Sequence, residues 1–306
     1  MAKAMAKTAR IRESRADVVY NAINVALLIF LLVIVAYPLY FVVIASVSTP
    51  ASVSMGKVFL WPDGVNLAGY KTILEYELIW SGYKNSILYT AAATLLHVAF
   101  TMCSGYVFSR RDLPFRQGMV VLFTIPMFFS GGLIPTFLLV KNMGLVNNPL
   151  ILILLGCVNM YNIIIARTFI DNTIPHELYE AGLIDGANNL DYFLRIVLPL
   201  SKALIAVQVV YAAVGMWNNY FNGLIYINDR EYLPLQNVIR EILNVSTNMQ
   251  KEMEMGNVGD DAIEAAYMAE SIKYGVIIIS SLPMMIVYPF AQKYFVQGVM
   301  IGSVKG

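Results

Sequence analysis

Long apolar runs, separated by short polar stretches, set the pattern of this chain. A helix rising 1.5 Å per residue needs about 20 mostly apolar residues to cross a bilayer. Six segments reach that length, at about 21–47, 85–109, 118–140, 149–170, 203–226 and 272–294. They predict an all-α, polytopic membrane protein with six transmembrane helices. Asn148 suits the N-cap of the fourth and Pro149 its first helical position. The first run is followed by "IASVS", loosely like a signal-peptide cleavage site, but a signal core has only about 7–15 apolar residues. The run therefore reads as a retained span.

Charge orients the bundle. Lys3, Lys7, Arg10, Arg12 and Arg15 precede the first run, and Arg110, Arg111 and Arg116 lie in the short "SRRDLPFRQG" loop after the second. Positive charge marks cytoplasmic loops, so both belong inside, and six spans make the two placements agree. A cytoplasmic tail 1–20, a membrane unit 21–296 and a cytoplasmic tail 297–306 follow, with the loop 171–202 inside. The loops 48–84, 141–148 and 227–271 face outside; the first carries a "WPDG" turn, and 244–270 is rich in Met and Glu.

Composition agrees and narrows the chemistry. Of 306 residues, 58% are hydrophobic and only 13% charged, a membrane balance, and a net charge of +1 gives no field for nucleic acid. Cys103, Cys157, His97 and His176 match no metal-ligand or disulfide spacing. No GxxxxGK[ST] phosphate loop is present, so any ATP is used elsewhere. The spans hold no central Asp or Glu and the chain no internal repeat, which counts against an ion-coupled transporter; no nucleophile–base pair suggests an intramembrane enzyme.

One stretch breaks the apolar pattern: "YEAGLIDGANNLDYFLRIVLPL", residues 179–200. Pro175 and Glu177 fit a first helical turn, predicting a short helix over about 176–184. On it Leu178, Ala181 and Gly182 share a face, with Asp185 one turn beyond. Gly186 allows the chain to turn at positive φ, and a second amphipathic helix over about 187–197 leads to Pro199. A helix lying on the inner leaflet is expected to be basic, whereas Glu177, Glu180, Asp185 and Asp191 make this one acidic. A protein partner suits it better.

The spacing Glu180-Ala181-Gly182-x3-Gly186-x9-Ile196-x-Leu198-Pro199 resembles the EAA loop of the permease subunits of ATP-binding-cassette (ABC) importers, E-A-A-x3-G-x9-I-x-L-P, with Gly182 where the pattern has Ala. The terminal "QKYFVQGVMIGSVKG" is similar to the tail of maltose-type sugar permeases, and "SGGLIPTFLLVKNMGL" and "YLPLQNVIREIL" look most like permeases for uronate-type or complex plant and algal oligosaccharides. The resemblance covers essentially the whole chain. It implies a cell-membrane permease with no covalent chemistry of its own and no cofactor of its own. Its partners would be a second homologous permease, two ATPase subunits that use the ATP, and an extracytoplasmic solute-binding protein delivering an oligosaccharide. It also implies that Glu180, Ala181, Gly182, Asp185, Gly186, Ile196, Leu198 and Pro199 form the handle an ATPase moves, with Glu180 meeting a basic group and the small residues permitting close packing.

Two further clusters are candidates. Trp217, Asn218, Asn219, Tyr220 and Asn222 crowd the outer third of the fifth span, where amides are costly unless they face protein, water or substrate. They suit a sugar, and equally an aromatic belt with a polar helix end. In the third span Pro126, Ser130, Gly131, Gly132 and Pro135 predict a break, either a gate or a packing kink. Gln208 and His97, inside spans, read as hydrogen-bonding glue between helices.

Overall fold

A computed structural model describes residues 14–254 and 260–303. Lys3, Lys7, Arg10 and Arg12 lie outside the described residues. Helix α1 (Arg15–Ser46) starts ahead of the predicted residue 21 because Ser14 and Asp17 cap it reciprocally, each side chain accepting the other's backbone N–H at 3.2 and 3.0 Å. At 32 residues it is about 48 Å long, and its apolar side chains are almost all exposed, as a lipid-facing helix requires. Two short helices, α2 (Pro50–Ser54) and α3 (Ala68–Glu75), occupy the following loop.

Helix α4 (Glu77–Ser109) is the axis of the molecule. It absorbs eight residues assigned from sequence to the loop before residue 85, and within that stretch Gly82 lies close against a neighbouring backbone: a Cβ there would lie 3.0 Å from Leu235 Cα. The third span is broken as predicted. Helix α5 (Arg116–Phe128) and α6 (Leu133–Asn142) meet at 109°, with Gly132 at φ 86° in the break. The fourth span is also broken, which was not foreseen: α7 (Leu150–Cys157) and α8 (Met160–Thr173) meet at 42°. There Asn159 caps α8 by accepting the Asn162 N–H at 3.3 Å. Asn148 does accept from Leu150 N–H at 3.0 Å, although the helix begins one residue after Pro149.

The inner loop holds α9 (His176–Ile184), α10 (Asn189–Tyr192), a π turn over Phe193–Val197 and α11 (Leu198–Leu200). Pro199 offers no N–H, and just ahead of it the ladder widens, the Leu198 N–H bonding Phe193 O five residues back. Then come α12 (Lys202–Trp217), α13 (Phe221–Tyr226), α14 (Leu235–Glu254) and α15 (Asp260–Ser303). The fifth span is therefore not one helix over 203–226. Helix α12, 16 residues and about 24 Å, stops at Trp217, short of a hydrocarbon core about 30 Å thick, and α13 follows as a separate short helix. Segment Asn189–Leu200 meets α12 at 80°, and the two together are long and apolar enough to make the bent fifth crossing.

Arg15–Ser46, Glu77–Ser109 and Tyr267–Pro289 are each long and apolar enough to cross a membrane unbroken. With the bent third, fourth and fifth spans, the fold is an all-α, six-span bundle. No strand occurs among the described residues beyond one isolated bridge between Ser48 and Val65.

Two apolar cores are strung along α4. The outer one gathers Tyr89, Leu152, Trp217, Tyr226, Leu235 and Val276; the inner one gathers Met102, Tyr106, Ala166, Tyr192, Phe193 and Val197. Near the inner core α4 and α8 approach so closely that a Cβ on Gly105 would sit 2.6 Å from Ala166 Cβ. Between the cores lies the predicted polar glue. His97 Nε2 is 3.1 Å from Asn162 Nδ2 and 3.5 Å from Gln208 Oε1, joining α4, α8 and α12.

Candidate functional site

The inner loop is built around one tyrosine. Tyr192 is buried and meets Tyr179 edge-on, with ring centroids 5.2 Å apart, and Tyr106 of α4 at 6.2 Å. Burial pushes its phenol above the ordinary tyrosine range. Tyr179 and Gly182 lie one turn apart on α9 and both face this ring. A Cβ on Gly182 would come 3.3 Å from Tyr192 Cδ2, tighter than ordinary contact. The glycine at the third position of the EAA pattern is therefore explained inside the chain: it admits Tyr192. It corrects the expectation that Gly182 shares an open face with Ala181, since Gly182 is buried and Ala181 exposed.

The rest of the loop follows from its turns. Asp185 is the α9 C-cap at φ −75°, and Gly186 follows at φ 80° with open space around it, the left-handed turn its sequence predicted. The Asn188 side chain accepts from Leu190 and Asp191 N–H, both at 2.9 Å, and starts α10. Ile196, Leu198 and Pro199 carry the chain to α12, with Ile196 and Leu198 packed on the inner core. What remains outward is an acidic and apolar face: Glu177, Glu180, Ala181, Leu183 and Ile184 are exposed, Ile184 by 87%. His176 stands 3.8 Å from Glu180, one turn away.

Arg110, at the C-cap of α4, grips the same loop. Its Nε and Nη2 donate to Asp112 at 2.8 and 2.6 Å, its Nη1 to the Tyr106 hydroxyl at 3.0 Å, and its Nη2 also to the Tyr179 hydroxyl. The guanidinium carbon lies 3.7 Å from the Tyr179 ring centroid. The hydrogen bonds from Arg110 hold the Asp112 carboxyl below the usual range. From sequence Arg110 signalled orientation alone; "RRD" followed by an aromatic loop tyrosine carried no further sign of a clamp.

The outer candidate cluster is divided. Trp217 is 3% exposed, and its indole N–H donates to Ser280 O at 3.2 Å, so the ring is a wall of the core and is not open for stacking. Asn219, two residues ahead of α13, accepts the Asn222 N–H at 3.2 Å. Asn218 and Tyr220 are exposed; the Asn218 amide donates to Val214 O at 2.9 Å, and Arg240 lies over the Tyr220 ring at 4.6 Å. Asn218 lines a cavity of about 640 Å³ together with Trp217, Gln236, Ser281, Met284 and Tyr288. Of these, Gln236, Ser281 and Tyr288 were not singled out from sequence, since they come from α14 and α15, far along the chain. Ser130, Gly131 and Gly132 are exposed in the break between α5 and α6, and the Ser130 hydroxyl accepts the Gly132 N–H at 3.2 Å.

A bundle of six apolar spans, three of them broken, with a compact polar loop at one end is the build of a membrane permease. Residues 98–301 match the family described as "Binding-protein-dependent transport system inner membrane component", and the chain belongs to that family. It is 40% identical, over 92% of its length and 96% of the other's, to the polygalacturonan/rhamnogalacturonan transport system permease protein YtcP of Bacillus subtilis (strain 168). It is 35% identical to Protein LplC of the same organism, over 99% of this chain and all of that one. Among solved structures it resembles a chain of "a bacterial ABC transporter involved in the import of the acidic polysaccharide alginate", with TM-score 0.82 and 30% identity over 92% of this chain and 99% of that chain. The protein is thus an inner-membrane permease of an ABC importer, a system that works with a solute-binding protein and ATPase subunits. These findings lend no support to ion coupling, and the family is one of transport, not a known enzyme class.

Proposed function

We propose that this chain forms one half of the translocation path for a uronate-type oligosaccharide and is driven through the loop 175–199. The observation that carries the reading is the two-faced α9, which buries Gly182 and half-buries Tyr179 against Tyr192 and leaves Glu180 and Ala181 outward. Such a helix can be gripped on one side while remaining fixed to the bundle on the other. Glu180 meets a basic group of the ATPase, and Leu183 and Ile184 fill an apolar cleft; Asp185 and Gly186 shape the turn behind them. A second homologous permease supplies the other half of the path, two ATPases bind inside, and the solute-binding protein docks on the outer loops. Both termini are cytoplasmic.

The substrate class is supported by similarity to YtcP, whose name specifies polygalacturonan and rhamnogalacturonan, and to the alginate importer. On the path, Asn218, Asn219, Tyr220 and Asn222 offer hydroxyl-binding groups while Trp217 backs them from the core. Ser130, Gly131 and Gly132, at the 109° break, form the flexible part of a gate.

Reconstitution tests this reading. Proteoliposomes holding the chain with its partner permease, ATPases and binding protein should take up labelled oligogalacturonide only with ATP inside the ATPase compartment. Uptake that ignores ATP, or persists without the ATPases, would sink it.

A further inference from the structure

An arginine at the inner end of a span need only be charged to set orientation. Arg111, exposed, meets that need. Arg110 does more, for its side chain is only 12% exposed and every nitrogen of its fork is engaged, by Asp112, Tyr106 and Tyr179. Within the loop, α9 has little else to hold it. Among the described residues α9 makes no extended contact with any other helix. A polar cavity of about 360 Å³ opens between it and the inner ends of α4 and α8. Its fixings are Gly182 and Tyr179 against Tyr192, and Tyr179 against Arg110.

We propose that Arg110 is a positioning residue for transport: it ties Tyr179 of α9 to the end of α4, so that when the ATPases displace the loop, α4 moves with it as one body. This rests on the reading of 175–199 as the ATPase handle. Helix α4 suits the task because it runs the height of the molecule through both cores. It is pressed on α8 at Gly105 and on Leu235 at Gly82, so motion at its inner end reaches the outer face. Arginine is required. A lysine ammonium can neither grip Asp112 with two parallel bonds nor lie flat on the Tyr179 ring.

The test uses the whole importer in proteoliposomes, with labelled oligogalacturonide uptake and ATP hydrolysis measured together and ATPase retention checked by co-purification. With Arg110→Gln, uptake per ATP should fall on the order of tenfold while the ATPases stay bound, as befits losing a charge-assisted contact. Arg110→Lys should fall nearly as far. Tyr179→Phe, which keeps the ring, should fall by about two- to threefold, the smaller share left to one hydroxyl. In Arg110→Gln, stimulation of the ATPases by the loaded binding protein should also fade, because that signal travels the same clamp inward. Wild-type uptake per ATP in both Arg110 variants would overturn the proposal. So would loss of the ATPases in all three variants, which would make Arg110 an anchor of folding alone. Glu180→Lys separates the clamp from the handle. If that variant keeps both ATPase binding and coupling, the handle reading fails; if it loses them while the Arg110 variants couple normally, only the clamp fails.

Discussion

The two polar ends of this bundle are built on opposite plans. At the outer end, side chains reach into the backbone of the connecting segments. Asn147 accepts from Asn228 and Asp229 N–H, both at 2.9 Å, and donates to Asp229 Oδ2 at 2.8 Å. Asn85 donates to the carbonyls of Glu231 and Leu233, Tyr89 to that of Tyr232, and the Leu235 N–H donates to Ser86 Oγ. Tyr226, Ile227, Leu233 and Leu235 are buried in the process. At the inner end only one face of α9 is buried, held by rings and one guanidinium, and the α9–α10 loop takes from outside itself a single long side-chain bond to its backbone, from the Tyr106 hydroxyl to Asn189 O at 3.5 Å. A collar bonded through its backbone resists displacement; a helix hung on side chains can be pushed as a unit. The difference suits the outer end to rigidity and the inner end to the transmission proposed for it.

Substitutions can break that contrast. The largest effect on the fold is expected at Asn147, which sits at φ 61° and carries the collar bonds: Asn147→Ala should lower stability in detergent by about 2–4 kcal/mol, adding lost hydrogen bonds to left-handed strain. Asn147→Gly should recover only the strain, about 1 kcal/mol. If Asn147→Ala unfolds no earlier than the inner variants, the outer end is not the rigid one. Next comes Gly223→Ala, whose Cβ would fall 2.3 Å from the Oδ1 of buried Asn237. Repacking there should cost about 1–3 kcal/mol, read as a lower unfolding midpoint.

Inner substitutions should move the fold less and coupling more. Gly186→Ala meets open space but keeps φ 80°, so its cost is backbone strain of about 1 kcal/mol, read as reduced uptake per ATP with an unfolding midpoint lowered by less than in Asn147→Ala. Gly182→Ala restores the commoner EAA residue and gains helix propensity of about 1 kcal/mol, but its Cβ meets Tyr192 at 3.3 Å. That ring is fenced by Tyr106 and Tyr179, so the net change should be slightly destabilising, by under about 1 kcal/mol. The smallest effect concerns pH. Asp112 is held below its ordinary value, so the ionised clamp is complete above that value and is lost only as pH falls through the lowered one. Uptake per ATP should therefore show no step from this group between about pH 8 and about pH 6.

Much of the inner loop was legible in the chain. Helix bounds of 176–184, the left-handed turn at Gly186 and the exit at Pro199 all rest on local chemistry: a Pro and an acid in the first turn, and a residue without Cβ at the corner. The break at Gly132 was legible for the same reason. The break at Asn159 was not, because a polar residue within an apolar run carries no mark of whether it caps a helix or bonds across one. Trp217 misled in the same way: a tryptophan among asparagines suits a sugar, but its indole found Ser280, 63 residues along the chain.

Length of apolar runs and the spacing from Glu180 to Pro199 determined the class of this protein and how many times it crosses the membrane; placement of arginines and that same spacing also supply the proposed orientation and the proposed handle for a partner. These are local or one-dimensional quantities, set by bilayer thickness, by charge and by the helical repeat. Only the tertiary structure decided which side of α9 is spent inside, that Tyr192 requires a glycine at position 182, and that Arg110 closes on Tyr179, 69 residues away. Those choices depend on which surfaces come within a few ångströms of each other, and no local pattern in the chain records that distance.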